Sequence, residues 1–205
     1  MVRVQEGEHR IKVKPLYCYS VAVFLFLHSM SSKVILYIAM SEDGFIAGEN
    51  DNIDFLNEFQ VEGEDYGYWS FIKTISSIIV GRKTYEKVIN LGYPYHKDKD
   101  VYVITRNPRQ SSDGLHFYTG DLKSLIDELR RTNSGNIYCD GGAELAQTLI
   151  SFGIIDKIIL SIIPVNLQKG TLLFKNGFVP SEFEVEHKVE FKTGLKQCTY
   201  NLKST

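Results

Sequence analysis

Residues that mark specialised chemistry are scarce in this chain. Its 205 residues include only 3 cysteines, 1 tryptophan and 5 prolines. Cys18, Cys139 and Cys198 lie far apart, with no CxxC or His-x-Glu neighbour, so neither a zinc site nor a disulfide framework is expected. Such cysteine usage fits a reducing cytoplasm. Charge of one sign is also lacking: 23 basic against 25 acidic residues leave a net −2, which gives no general attraction to nucleic acid or to an anionic membrane. Internal repeats, low-complexity tracts and interdomain linkers are absent, and 43% apolar content suits one globular domain. The apolar run "LYCYSVAVFLFL" at 16–27 is too short to span a bilayer. Arg10, Lys12 and Lys14 before it give it the look of a signal-peptide start, yet His28, Ser29 and Met30 follow instead of a small-x-small cleavage site. "MSSKVILYIAM" from Met30 reads as the start of a cytosolic α/β domain. Residues 1–32 are therefore expected to be a dispensable extension and residues 33–205 the functional domain, with weak membrane attachment through 16–27 as the alternative.

What is present is a regular alternation of apolar runs and helical patterns. "KVILYIAM" is almost unbroken, as expected of a central strand covered on both faces. Residues 41–64 read as loop. "DYGYWSFIKTI" predicts a helix with Tyr68, Phe71, Ile72 and Ile75 on one face. "SSIIVG", "DVYVITR" and "LHFYTG" read as strands, "RKTYEKVINLG" as a helix ending at Gly92, and "DLKSLIDELRR" as a helix capped by Asp121. "NIYCDGG" ends a further strand, with helical spacing from Ala146 onward, and "IIDKIILSIIPV" is a strand closed by Pro164. "EFEVEHKVEFKTGLKQCTYNLK" alternates around a "KTG" turn, as a terminal antiparallel hairpin does. The fold class is α/β, with a mainly parallel sheet, helices on both faces and a C-terminal antiparallel hairpin.

Three junctions carry groups suited to a nucleotide cofactor. After "SSIIV" come Gly81, Arg82, Lys83 and Thr84; after "VYVI" come Thr105 and Arg106; after "NIYCD" come Gly141 and Gly142. Paired glycines at a strand-to-helix turn let an anion approach backbone N–H groups at the positive end of a helix. An isolated Gly-Gly is more often a turn that needs glycine for sterics alone, and a basic residue in a helix's first turn is ordinarily solvated. Taken together, the junctions describe a diphosphate cradle with spare positive charge for a further phosphate, which favours NADPH over NADH.

With these motifs in this order, the sequence resembles the dihydrofolate reductase-like superfamily over residues 33–203. It is most similar to the reductase domain of the riboflavin-biosynthesis deaminase-reductase and its stand-alone relatives. "YIAMSEDGFIAG", "GRKTYE", "VITR", "CDGGAEL" and "SIIPVNLQKGTLLF" carry the resemblance. It implies an NADPH-dependent reductase resembling 5-amino-6-(5-phosphoribosylamino)uracil reductase, with a cis peptide between the two glycines and a small heterocyclic substrate. The implied cofactor contacts are Ala39, Ile46, Gly81, Arg82, Lys83, Thr84, Thr105, Arg106, Gly141, Gly142, Ala143, Glu144, Leu145 and Thr171. Asp65 lies 16 residues before Gly81, the spacing at which dihydrofolate reductases carry a substrate carboxylate. It is the candidate catalytic residue, expected to have a raised pKa in a partly apolar cleft; a helix-start aspartate is the alternative. Asp43, Asp54, Trp69 and Ser161 are the candidate substrate contacts. The Pro-Trp segment of dihydrofolate reductases is missing, and so is the His-x-Glu and Pro-Cys-x-x-Cys pair of the deaminase half. Dihydrofolate reduction and a non-catalytic nucleotide-binding module stay as alternatives, and a homodimer is left open.

Overall fold

Near-continuous apolar segments become the central parallel strands because both of their faces are covered. The computed structural model describes residues 32–93 and 95–204, so the run at 16–27 and the expected extension up to Ser31 lie outside the described residues. The strands are β1 (Val34–Ser41), β2 (Phe45–Ala47), β3 (Ile75–Gly81), β4 (Asp100–Ile104), β5 (Leu115–Tyr118), β6 (Asn136–Gly141), β7 (Lys157–Ile163), β8 (Thr171–Leu172), β9 (Phe183–Glu190) and β10 (Lys196–Leu202). Helices are α1 (Tyr68–Ile72), α2 (Arg82–Asn90), α3 (Leu122–Thr132) and α4 (Ala143–Ser151). Eight strands form one sheet in the order β5-β4-β3-β6-β1-β7-β10-β9. The first six run parallel, while β10 is antiparallel to β7 and β9 to β10. β2 and β8 pair separately.

Strand periodicity divides the core in two. Val34, Leu36, Ile79, Ile137, Cys139, Ile158 and Leu160 pack with Leu125, Ile126 and Leu129 of α3 and Leu145, Ala146 and Leu149 of α4. On the opposite face, Ile35, Ile78, Val80, Val101, Val103 and Tyr138 pack with Phe71 and Ile72 of α1, and with Tyr85 of α2. The chain moves outward from β1 to β3, β4 and β5, then returns to place β6 between β3 and β1. Because parallel crossovers are right-handed, the outward and returning helices cover different faces. Adjacent strands β3 and β6 therefore feed helices on opposite faces, which makes their carboxyl ends a switch point where ligands bind in such sheets.

Asp121 caps α3 by accepting from the Ser124 N–H at 2.8 Å, as its sequence position predicts. Three local expectations are corrected. Ile75 belongs to β3, since α1 is only five residues long. α4 begins at Ala143, three residues before Ala146, because the turn after β6 consumes only Gly142. The segment 41–64 is not all loop: it holds β2 and two short 3-10 turns, Glu49–Asp51 and Asp54–Phe59.

Candidate functional site

The paired glycines sit at the switch point. The Gly141–Gly142 peptide is cis, and Gly141 has φ +86°, a region open to glycine and strained for other residues. Added to Gly142, a Cβ would lie 2.8 Å from Thr84 Oγ1 and 4.0 Å from Ile46 Cδ1; on Gly81 it would lie 3.5 Å from the Gly141 carbonyl oxygen and the Gly142 nitrogen. Gly81, Thr84, Ile46, Gly141 and Gly142 are thereby brought together. α2 starts at Arg82 and α4 at Ala143, and neither start has a side-chain cap. Two helices thus present first-turn N–H groups and positive dipole ends near one point. Ala143, Glu144 and Thr171 border a cavity of about 420 Å³, and Thr171 also borders a neighbouring one of about 410 Å³ along Gly48–Asp51 and Lys169. Leu145 turns its side chain into the core, leaving only its backbone to face a ligand. Ala39, half-buried on β1, lies in register with Ser161. The buried Thr105 spends its hydroxyl locally, accepting from the Asn107 N–H at 3.1 Å.

Three arginines lie beyond the ends of β3 and β4, each paired with a carboxylate. Arg82 pairs with Glu86 at 2.6 Å, and Arg109 pairs with the same glutamate at 2.8 Å. Arg106 reaches Glu144, in the first turn of α4, at 2.6 Å, with both side chains more than four-fifths exposed. Lys83 is exposed. Arg109 was not singled out from the sequence, since it stands in a polar loop with no motif around it.

A second cluster lies at the end of β6, on the sheet face of α1 and α2. Asp140 accepts from Tyr138 Oη at 2.5 Å and from Tyr95 Oη at 2.6 Å. Burial pushes its pKa up, and the two phenol donors counter this in part. Tyr68 Oη meets His96 Nε2 at 3.2 Å, and burial with the nearby Asp140 charge pushes its pKa up to about 12. Gln197 Nε2 donates to Tyr37 Oη at 3.1 Å and to Ser161 Oγ at 3.2 Å, while Tyr37 Oη donates to the Tyr66 carbonyl at 3.0 Å. Of these groups the sequence offered only Ser161 as a site residue. Asp140 stands immediately before the paired glycines and shares a strand face with Tyr138, which is the signal that could have found it.

Of the remaining expected site residues, Asp65 and Asp43 serve the backbone. Asp65 accepts from the N–H groups of Gly67 at 3.0 Å and Trp69 at 2.8 Å, and these bonds hold its pKa below the usual carboxylate range. The expected raised pKa is corrected, because α1's first-turn donors stabilise the ionised form; the carboxylate does the work of a helix start. Asp43 accepts from Ser41 Oγ at 2.6 Å and from the N–H groups of Leu167 and Gln168 at 3.1 and 2.7 Å, tying the β1–β2 turn to the segment after β7. Asp54 is exposed and bonds Asn52. Trp69, 57% exposed, is no core residue; its ring sits edge-on to Tyr68 and His96, each at 5.8 Å. Among the described residues no cluster of three or more His, Cys, Asp or Glu is placed to hold a metal, and no helix is long and apolar enough to cross a membrane.

Comparison with known proteins agrees with this architecture. A family model, the RibD C-terminal domain, matches residues 32–196. The Bacillus subtilis (strain 168) protein YwjB, named only as uncharacterized, is 40% identical over 171 residues, covering 82% of this chain and 93% of its own length. A candidate riboflavin biosynthesis protein of Shewanella sp. PV-4 superposes with a TM-score of 0.74 at 24% identity, over 84% of this chain and 99% of that one. Dihydrofolate reductase of Enterococcus faecalis, complexed with NADP(H) and RAB-propyl, gives 0.61 at 17% identity, over 85% and 99%. The fold is dihydrofolate reductase-like.

Proposed function

The chain belongs to the RibD C-terminal domain family, and on that premise we propose that it is an NADPH-dependent reductase that transfers a hydride to a small heterocyclic or ribosylaminopyrimidine substrate in the cytoplasm. One observation carries this reading. The ends of β3 and β6, two uncapped helix starts and the Thr84 hydroxyl meet at a point where a Cβ on Gly142 would collide, at 2.8 Å, with that hydroxyl. A cradle of that kind suits a diphosphate.

In this reading the N–H groups of Ala143, Glu144 and Leu145, with Thr84, hold the diphosphate, and Arg82, Lys83 and Arg106 meet the ribose phosphate that separates NADPH from NADH. Ala39, Ile46, Thr105 and Thr171 border the rest of the cofactor. Bound NADPH supplies the hydride. The chain's own contribution is orientation and electrostatics: a carboxyl at Asp140 whose pKa burial raises, and phenols at Tyr95 and Tyr138 that donate to its two oxygens. Dihydrofolate reduction rested on Asp65, whose oxygens are taken up by the start of α1.

Titration of the purified protein with NADPH, followed by nicotinamide fluorescence, tests the cofactor half. Enhanced emission with micromolar-scale affinity, at least about tenfold tighter than for NADH, is the expected result. Equal indifference to the two cofactors removes the reading. NADPH oxidation measured against a panel of pterins, aminopyrimidines and quinones then tests turnover.

A further inference from the structure

Helix α1 is too short to hold its own position. It has five residues, of which only Phe71 and Ile72 are buried, and isolated helices of that length are marginal in water. Yet it carries Tyr68 and Trp69, whose rings meet each other and His96 at 5.8 to 6.0 Å. Phe71 and Ile72 anchor its C-terminal end in the core. The Asp65 carboxylate bonds Gly67 and Trp69 N–H groups, which shapes the first turn without tying it to the sheet. Attachment of the N-terminal end has to come from elsewhere.

It converges on Tyr66. Its φ is +52°, followed by +84° at Gly67, and a left-handed tyrosine persists only where its surroundings enforce it. Tyr66 Oη donates to the Phe59 carbonyl at 2.7 Å, and the ring stands edge-on to Phe191, in the connection between β9 and β10, at 4.9 Å. The Tyr66 carbonyl accepts from Tyr37 Oη at 3.0 Å and from Gln197 Nε2 at 3.1 Å. Gln197 Nε2 also lies 3.1 Å from Tyr37 Oη and 3.2 Å from the buried Ser161 Oγ. Two amide hydrogens are therefore shared among three acceptors, one on β1, one on β7 and one at the entry to α1.

Strand register shows where this amide acts. Ala39 pairs with Ser161, and Ser161 with Gln197, across the neighbouring strands β1, β7 and β10. The three side chains share one sheet face, and Gln197 stands about 10 Å from Ala39, which borders the cofactor in the proposed reading. We propose that Gln197 is a positioning residue: its amide ties the Tyr66 carbonyl to β1 and β7 and thereby holds α1, with Tyr68 and Trp69, at a set distance from the bound nicotinamide. This inference rests on the reductase reading and deepens it, by assigning the placement of the aromatic wall to a residue that acts through α1.

The test uses the full chain, with NADPH as the probe. Trp69 is the only tryptophan, so its emission reports on α1 in two ways: acrylamide quenching follows its mobility, and energy transfer to bound nicotinamide follows its distance from the cofactor. Gln197→Met keeps the length of the side chain and removes both amide hydrogens. In that variant quenching should rise about 1.5-fold and energy transfer at saturating NADPH should fall about 1.5-fold, while NADPH affinity stays within about twofold of the parent. Tyr37→Phe, which leaves Gln197 as a donor to the Tyr66 carbonyl, should move both signals less, and the double variant should exceed the sum of the two. Should Gln197→Met fail to fold, Tyr37→Phe decides, and a Trp69 that behaves there as in the parent overturns the proposal. So does unchanged quenching and transfer in a folded Gln197→Met protein, or a transfer that falls only in step with NADPH affinity. A parent that gives no NADPH response sinks the reductase reading, and acrylamide quenching alone then shows whether Gln197 holds α1.

Discussion

Two clusters flank the Gly141–Gly142 peptide, and they are built on opposite principles. The cluster at the ends of β3 and β4 is open, multiply charged and self-neutralised, with Arg82 and Arg109 sharing Glu86 and Arg106 reaching Glu144. The cluster at the end of β6 is desolvated, with one carboxyl held by phenols instead of cations. Exposed ion pairs contribute little to stability and exchange partners readily, so an incoming phosphate can take over the arginines at small cost. Buried polar groups behave differently, because a lost partner leaves a donor or acceptor with nothing to bond. The cation side is therefore suited to binding and release of an anion, and the phenol side to holding one ligand in one orientation.

Asp140→Ala gives the largest expected effect. It strips Tyr95 of its acceptor and leaves Tyr138 only its longer bond to the Tyr37 carbonyl at 3.3 Å, and a buried donor left unpaired costs about 1 to 3 kcal/mol. Chemical denaturation should show a loss of about 2 to 4 kcal/mol for the lost and the weakened bond together. NADPH affinity should change little, since the arginines keep their glutamates. A matching fall in cofactor affinity would mean that the two clusters are one unit.

Arg82→Ala and Arg106→Ala come next. A charge-assisted bond to phosphate is worth about 1.5 to 3 kcal/mol, so each variant should bind NADPH about one to two powers of ten more weakly. NADH affinity should barely move. If both cofactors bind each variant as they bind the parent, these cations are ordinary surface residues and the preference for NADPH has no basis.

The first cluster was largely legible in the sequence and the second was not, for a physical reason. Gly81 to Thr84, Thr105-Arg106 and Gly141-Gly142 follow strands that announce themselves as apolar runs, so strand ends and the groups beyond them could be aligned before any geometry was known. β1, β3, β6 and β7 were visible for the same cause, and the C-terminal hairpin by its alternation. The phenol cluster joins Tyr95 to Asp140 across 45 residues and Gln197 to Tyr37 across 160. Neither pair leaves a local pattern, because a lone tyrosine on an apolar face looks like core. Asp65 shows the converse. Its partners are two and four residues away, and the local alternative, a helix start, describes its geometry. β8, only two residues long, is too short for any periodicity to mark it.

Glu144→Gln should have a smaller effect and sharpen the first cluster. Arg106 is held by Glu144 in an exposed pair, which contributes at most about 1 kcal/mol to stability. Releasing the arginine at the positive end of α4 should tighten NADPH binding by about two- to fivefold in low salt. Calorimetric titrations at rising ionic strength should show the gain disappear as screening sets in. Weaker NADPH binding in the variant would mean that Glu144 itself contacts the cofactor.

The smallest effect separates the two kinds of carboxylate by the sign of their pH dependence. Asp65 has its pKa lowered by the Trp69 and Gly67 N–H groups. Its contribution is present above the unfolded value of about 4 and is lost as pH falls through the lower folded value. Asp140 has its pKa raised by burial. The folded state then binds more protons than the unfolded one over the interval between the two values, so its contribution is present at low pH and is lost as pH rises through the folded pKa. Melting temperatures of the parent, Asp65→Asn and Asp140→Asn, measured from neutral pH down to pH ~3, should diverge accordingly. The parent's advantage over Asp65→Asn should shrink on acidification, while its standing relative to Asp140→Asn should improve. Curves that bend the same way for both variants would show that Asp140 is solvated like Asp65, and the contrast between an open cation cluster and a desolvated phenol cluster would fail.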